Sequence, residues 1–325
     1  MTFTRRSLLT IAGGALGAAG LPRWARAETY PARPVRIVVG FSPGGAPDIV
    51  ARLFAQWLSD RLGQRFIVEN KAGAGGNLGT ETVAKSAPDG YTLLLVAPND
   101  AINASLYDKL NYNFLRDLEP VVALARTPQV LEVNPSVPAT TMPELIAYMK
   151  ANPGKLSLAS PGVGTGPHMV AELFRVKAGV DFVHVPYRGA GAALGDVVAG
   201  QVQMIFTTVP SSREFVRTGK LRALAVTTDT GSVQLPDVPP LSATVPGFEA
   251  SFWMGLAAPK NTPAEVVETL NKAVNAILAD AAVKARLTEM DTLPMGGAPA
   301  EFKKFVADET RKWAEVVKAA NLKPQ

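Results

Sequence analysis

The chain has 325 residues with 33 basic and 28 acidic side chains, a formal charge of +5, 28 glycines, two histidines and no cysteine. That composition excludes disulfides, thiolate chemistry and a cysteine-held metal. Four arginines (Arg5, Arg6, Arg23 and Arg26) sit in the first 27 residues with no acid; without them the charge falls from +5 to +1, which gives no electrostatic case for nucleic acid or an anionic membrane.

Residues 1–27, "MTFTRRSLLTIAGGALGAAGLPRWARA", have a charged start, a Gly-softened apolar run and an Ala25-Arg26-Ala27 end. These are the n-region, h-region and cleavage site of an export signal. The adjacent arginines fit a twin-arginine signal, and the Sec route fits the same segment. The apolar run is too short and Gly-rich to span the ~30 Å of a bilayer core. An exported chain of the remaining 298 residues is expected, ample for two lobes.

Apolar strand candidates follow at 35–39, 66–68, 92–97, 121–133, 156–159, 182–185, 202–206, 221–226 and 252–257. Between them lie stretches of helical spacing. In 47–62 the apolar residues Ile49, Val50, Leu53, Phe54, Trp57, Leu58 and Leu62 form one broad stripe. The alternation predicts mainly parallel, helix-covered sheet up to about residue 248. The tail differs, with helices expected at 262–279, 282–289 and 299–320.

"GFSPG" at 40–44 is a literal G-x-S-x-G between a strand and a helix, the pattern of a serine-hydrolase nucleophile elbow. The residue after Ser42 is Pro43, however, which has no N–H to give an oxyanion hole. Ser42 also follows the first strand, so no upstream loop supplies a second donor. The hydrolase reading fails on both counts. What the segment does provide is a strand end, flexible glycines and a helix start with free N–H groups, an anion seat. Similar turns recur in "LASPGVGTGPHMVAELF", "VPYRGAGAALGDVVAG" and "VENKAGAGGNLGTE". None is a P-loop or a dinucleotide fingerprint. Together they point to a small anion held mainly by backbone.

"FSPGGAPDIVAR", "GAGGNLGTETVAKSAPDGYTLLL", "SPGVGTGPHMVAELF", "VPYRGAGAALGDVVAGQVQMIF" and "GKLRALAVTT", in that order, resemble the tripartite tricarboxylate transporter substrate-binding family, the Bug proteins. The resemblance covers 30–325. It implies an α/β, two-lobed type II periplasmic binding-protein fold, each lobe a mostly parallel sheet flanked by helices, with two crossover strands as hinge. One lobe would be 28–124 plus 248–325 and the other 125–247, crossed by the runs at 121–133 and 251–257. The implied role is a periplasmic, monomeric, non-enzymatic receptor without cofactor or metal. It would close on a small carboxylate and deliver it to a membrane permease or a sensor.

Carried over loop by loop, the first loop should give Ser42, Gly44, Gly45 and Ala46, with N–H groups facing the cleft. Phe41 suits either the ligand's carbon skeleton or the core. Asn99 follows the third strand as a ligand or water partner. The second lobe should give Ser160, Gly162, Thr165, Gly166 and His168, and Tyr187 should close over the ligand, with Arg188 a further carboxylate partner. Thr165 equally suits a helix N-cap, and His168 equally suits a plain first-turn residue. His184, Asp48 and Asp196 read as structural. Many relatives carry an acid at the position of Thr207. Its absence argues against a ligand ammonium group and for a plain mono- or dicarboxylate.

Overall fold

The computed structural model describes residues 29–323; the export signal expected over 1–27 lies outside them. In chain order the elements are β1 (Val35–Val39), α1 (Ala46–Leu62), β2 (Phe66–Asn70), α2 (Asn77–Ala84), β3 (Thr92–Val96), α3 (Pro98–Leu106), α4 (Phe114–Asp117), β4 (Leu118–Val133), α5 (Met142–Ala151), β5 (Ser157–Ser160), α6 (Gly166–Ala178), β6 (Val183–Pro186), α7 (Ala190–Val198), β7 (Met204–Thr208), α8 (Val209–Arg217), β8 (Arg222–Val226), β9 (Ser251–Pro259), α9 (Ala264–Ala279), α10 (Ala281–Glu289), β10 (Leu293–Gly296) and α11 (Pro299–Ala319).

Local chemistry explains the boundaries. Helix α1 starts with Pro47 in its first turn, buries Val50, Phe54 and Leu58 from its apolar stripe, and stops at Gly63, whose φ of 71° is left-handed. Every residue of β3, "TLLLV", is buried, as an inner strand covered on both faces requires. Ala97, expected as the end of that strand, instead sits at the N-cap of α3, where its N–H donates to Asp100. The short strand β10 was not expected; it pairs antiparallel with β4 through Leu293, Pro294 and Gly296.

The sheet order is β2-β1-β3-β9-β4-β7-β5-β6, with β8 and β10 also paired to β4. Two parallel groups, β2-β1-β3 and β7-β5-β6, form the outer parts. Between them β4 and β9 run antiparallel. Strand β4 is 16 residues long and belongs to both halves. It pairs with β9 from Leu118↔Pro259 to Pro128↔Ser251, and with β7 from Gln129↔Thr208 to Val133↔Met204.

That register fixes where the site must be. The carboxyl end of β3, Val96, lies opposite Gly255 of β9, which lies opposite Ala123 of β4. Strand β3 therefore points along β4 toward residue 128. Strand β7 ends at Thr208 opposite Gln129 and points the other way along β4. The carboxyl ends of both parallel groups face one divide at 128/129, the place where open α/β sheets bind ligands.

Helix α11 holds the divide from one side. Glu309 Oε2 accepts the indole N–H of Trp253 on β9 at 2.9 Å and that of Trp313 at 3.0 Å.

Candidate functional site

The first loop is organised by Asp48. Its buried carboxylate accepts the Gly44 N–H at 2.9 Å, Arg52 Nε at 3.0 Å and Asn70 Nδ2 at 2.9 Å. Burial pushes this carboxyl up, but the bonds from Arg52, Gly44 and Asn70 together hold it below the usual range. Gly44 therefore gives its N–H to its own loop, a correction to the expectation that it faces the cleft. The N–H groups of Gly45 and Ala46 have no hydrogen-bond partner among the described residues. Ser42 is exposed, and Phe41 meets Phe252 edge-to-face at 6.2 Å.

At the end of β3, Asn99 sits in the first turn of α3, 8% exposed. No hydrogen bond among the described residues engages its amide.

The second-lobe loop is largely closed on itself. The Gly162 N–H donates to Ser160 Oγ at 3.2 Å, the Gly164 N–H to His168 Nδ1 at 3.0 Å, and the Thr165 N–H to Gly162 O at 3.3 Å. Thr165 does take the N-cap position of α6, but its hydroxyl donates to Gly162 O at 2.7 Å rather than accepting from the helix. Ser160 is fully buried and its Oγ lies 2.7 Å from His184 Nε2. His168, also buried, stacks on His184 with ring centroids 3.9 Å apart and has Nε2 3.6 Å from Glu172 Oε1. Ser160 and His168 thus brace the loop from behind.

The loop meets the other half at two points. A Cβ built on Gly164 would lie 2.6 Å from Leu106 Cδ2 of α3, and one on Gly166 would lie 3.4 Å from the Phe252 ring. Phe252 therefore links Phe41 in one lobe to Gly166 in the other.

Tyr187 is pinned, its hydroxyl donating to Asp196 on α7 at 2.6 Å. Its N–H reaches Ser160 O at 2.9 Å. Arg188 is exposed on the same loop. Thr207 is buried in β7, opposite Val130 of β4.

A cavity of about 450 Å³ opens between the lobes. One wall is Gly44, Gly45 and Ala46 at the start of α1, and the facing wall is Thr208, Pro210 and Ser211 at the start of α8. Arg286, held by Glu289 at 2.8 Å, and Thr127 of β4 also line it. The cavity joins the first loop to the segment after Thr207, while the 160–168 loop approaches through Leu106 and Phe252. Thr208, Ser211 and Arg286 on the cavity, and Phe252 against Gly166, were not anticipated as site residues. The one visible signal was the set of polar residues Arg126, Thr127, Gln129 and Glu132 inside the otherwise apolar run 121–133, of which Thr127 lines the cavity. No helix among the described residues is long and apolar enough to cross a membrane.

Comparison with known proteins identifies the family and the fold. Residues 50–322 match the family model described as "Tripartite tricarboxylate transporter family receptor". The chain is 38% identical to Protein BugT of Bordetella pertussis over 326 residues, 99% of each sequence. Among solved structures it is similar to an R. palustris protein with adipate (TM-score 0.80, 35% identity, 91% of this chain and 100% of the other). It is also similar to MatC of Rhodopseudomonas palustris with bound malate (TM-score 0.76, 33% identity, 89% and 100%). The fold is the two-lobed type II periplasmic binding-protein fold, with β4 and β9 as its crossover strands. The chain belongs to the tripartite tricarboxylate transporter receptor family, a family of non-enzymatic periplasmic solute-binding proteins.

Proposed function

We propose that this chain is a periplasmic receptor that captures a small carboxylate in its inter-lobe cleft and hands it to a tripartite tricarboxylate-type permease or a sensor. The observation that carries this reading is the pair of unpartnered N–H groups of Gly45 and Ala46, opening α1 onto the cavity that Thr208 and Ser211 close from the other lobe. Each helix N-terminus contributes roughly 0.3–2 kcal/mol toward an anion. The adipate- and malate-bound relatives support the same ligand class. In this reading 28–124 with 248–325 closes on 125–247 by bending at β4 and β9, and residues 1–27 direct export. Asn99 and Phe41 contact the ligand from the first lobe, and Gly166 contacts it from the second.

Thr207 narrows the ligand. A neutral hydroxyl cannot compensate an ammonium group buried in a closed cleft, so acids without one are preferred. The test is native mass spectrometry of freshly purified protein for a co-purified acid, followed by a thermal-shift panel. The panel pairs succinate with aspartate, glutarate with glutamate, and benzoate-type acids with phenylalanine. Thr207→Asp should weaken the plain acids and relatively favour the amino acids. A wild type that prefers the amino acid in its best pair would overturn the ligand assignment, and no stabilisation by any acid would overturn the receptor.

A further inference from the structure

Both histidines of the chain stand behind the second-lobe loop. His168 Nδ1 accepts the Gly164 N–H at 3.0 Å, His184 Nε2 lies 2.7 Å from Ser160 Oγ, and the two rings stack. The same loop carries the contacts between the lobes, Gly164 against Leu106 of α3 and Gly166 against Phe252 of β9. A change in either ring is therefore felt where the lobes meet.

The charge of His168 is tied to that loop. Because Nδ1 is an acceptor, the neutral ring carries its proton on Nε2, 3.6 Å from Glu172 Oε1. A second proton can go only to Nδ1. An imidazolium donates from both nitrogens and accepts at neither. Whichever way the ring turns, charged His168 offers Gly164 no acceptor, and a buried N–H is left unpaired.

The surroundings direct the proton to this ring. Burial, with His168 and Arg175, pushes His184 down to about 4, while Glu172 puts its carboxylate beside His168 Nε2. Glu172 also meets Arg175 Nε at 3.0 Å, and Arg175 pairs with Asp181 beyond it. Strands β5 and β7, which α6 covers, are built of residues that do not titrate. On α11, which also packs on α6, Glu309 is paired with Lys312.

We propose that His168 and Glu172 form an acid-operated latch: a proton on His168 unfastens Gly164, the loop loosens from Leu106, and the receptor releases its carboxylate. The release rests on the carboxylate-receptor reading, whereas the unfastening of Gly164 does not.

The experiment has two arms. Nuclear magnetic resonance of the purified protein from about pH 7.5 to 4.5 follows the Gly164 amide and the two histidine rings, assigned with His168→Asn and His184→Gln. The Gly164 amide and the His168 ring should titrate together, ahead of His184. In His168→Asn, whose side-chain oxygen can accept from Gly164 but does not titrate, the amide should hold still. Calorimetry with succinate, glutarate and benzoate then compares wild type with His168→Asn. For the acid that binds best, the ratio of the two Kd values should rise at least about fivefold between pH 7.5 and 5. The acid's own protonation cancels in that ratio. A His168 ring that titrates without moving Gly164, or that does not titrate before His184, overturns the latch, and wild-type spectra decide this even if the variant does not fold. A smaller rise in the ratio overturns the release. If none of the three acids binds at any pH, the receptor reading fails, and the Gly164 titration still decides the latch.

Discussion

Ser160 Oγ lies 2.7 Å from His184 Nε2, tying the entrance of the second-lobe loop to the edge strand β6. Behind that bond the stacked His168 accepts the Gly164 N–H, so the two rings hold the loop at both of its shoulders. Burial, reinforced by His168 and Arg175, pushes His184 from 6.5 down to about 4. A depressed histidine binds its proton first in the unfolded chain. Its contribution to stability is therefore present above pH 6.5 and lost as pH falls toward 4. His184→Gln keeps a partner for Ser160 but does not titrate. Between about pH 7.5 and 4.5 the wild-type Tm should fall further than the variant's. Equal falls would place the acid sensitivity elsewhere.

Glu132 has the opposite sign. It is fully buried in β4, accepts from Ser212 Oγ at 2.5 Å, and leaves its other oxygen without a partner. Burial, partly offset by the Ser212 bond, raises its carboxyl from 4.5 to about 7. The folded chain then keeps a proton that the unfolded chain has released, so stability falls as pH rises from 4.5 through 7. Glu132→Gln keeps an acceptor for Ser212 and removes the titration. Urea unfolding should show the two proteins alike near pH 4.5 and the variant more stable near pH 8, by ~3 kcal/mol at most. A variant that is less stable at both pH values would mean that the ionised carboxylate has a partner in solution.

The sequence and the structure agree best where one chemical signal dominates. The α1 stripe, the left-handed Gly63 and the three consecutive leucines of β3 each announce their element, and the Gly-rich strand ends announce the loops of the cleft. Strand β10 announces nothing: four residues including Pro294 become a strand only because β4 offers them an edge. Within the loops, glycines mark where N–H groups can point but not which remain free. That is decided by side chains of the same segments, since Asp48 takes Gly44, Ser160 takes Gly162 and His168 takes Gly164. Thr127 was legible only as a polar residue in an apolar run, because its place on the cavity depends on the register of β4 against β9.

Gly164 measures how firmly the lobes meet. Its φ of +75° is strained for any side chain, and a Cβ there would strike Leu106 at 2.6 Å. Gly179 has a φ of +61° with nothing within 4 Å, so Gly179→Ala reports the backbone cost alone, about 1–2 kcal/mol. Gly164→Ala should shift the urea midpoint further and weaken carboxylate binding. Matching shifts for the two variants would mean that the loop does not rest on α3 in solution.

The anion seat itself is tested by removing one N–H without disturbing the helix. Ala46 is the first residue of α1, and Gly45 before it is already extended, at φ −78° and ψ 166°. Proline is favoured at a first helical position and asks for just such a residue before it. Ala46→Pro should therefore leave Tm unchanged or slightly raised, since proline also restricts the unfolded chain. What it deletes is a donor facing the cavity. A hydrogen bond to a charged group contributes about 1.5–3 kcal/mol, so carboxylate affinity should fall at least about tenfold. Ser42→Ala removes an exposed hydroxyl from the same loop and leaves those N–H groups in place, so binding should stay within about tenfold of wild type. Calorimetry on the two variants with the best-binding acid decides between backbone and hydroxyl. Full affinity in Ala46→Pro together with none in Ser42→Ala would mean that the serine, and not the helix start, holds the ligand.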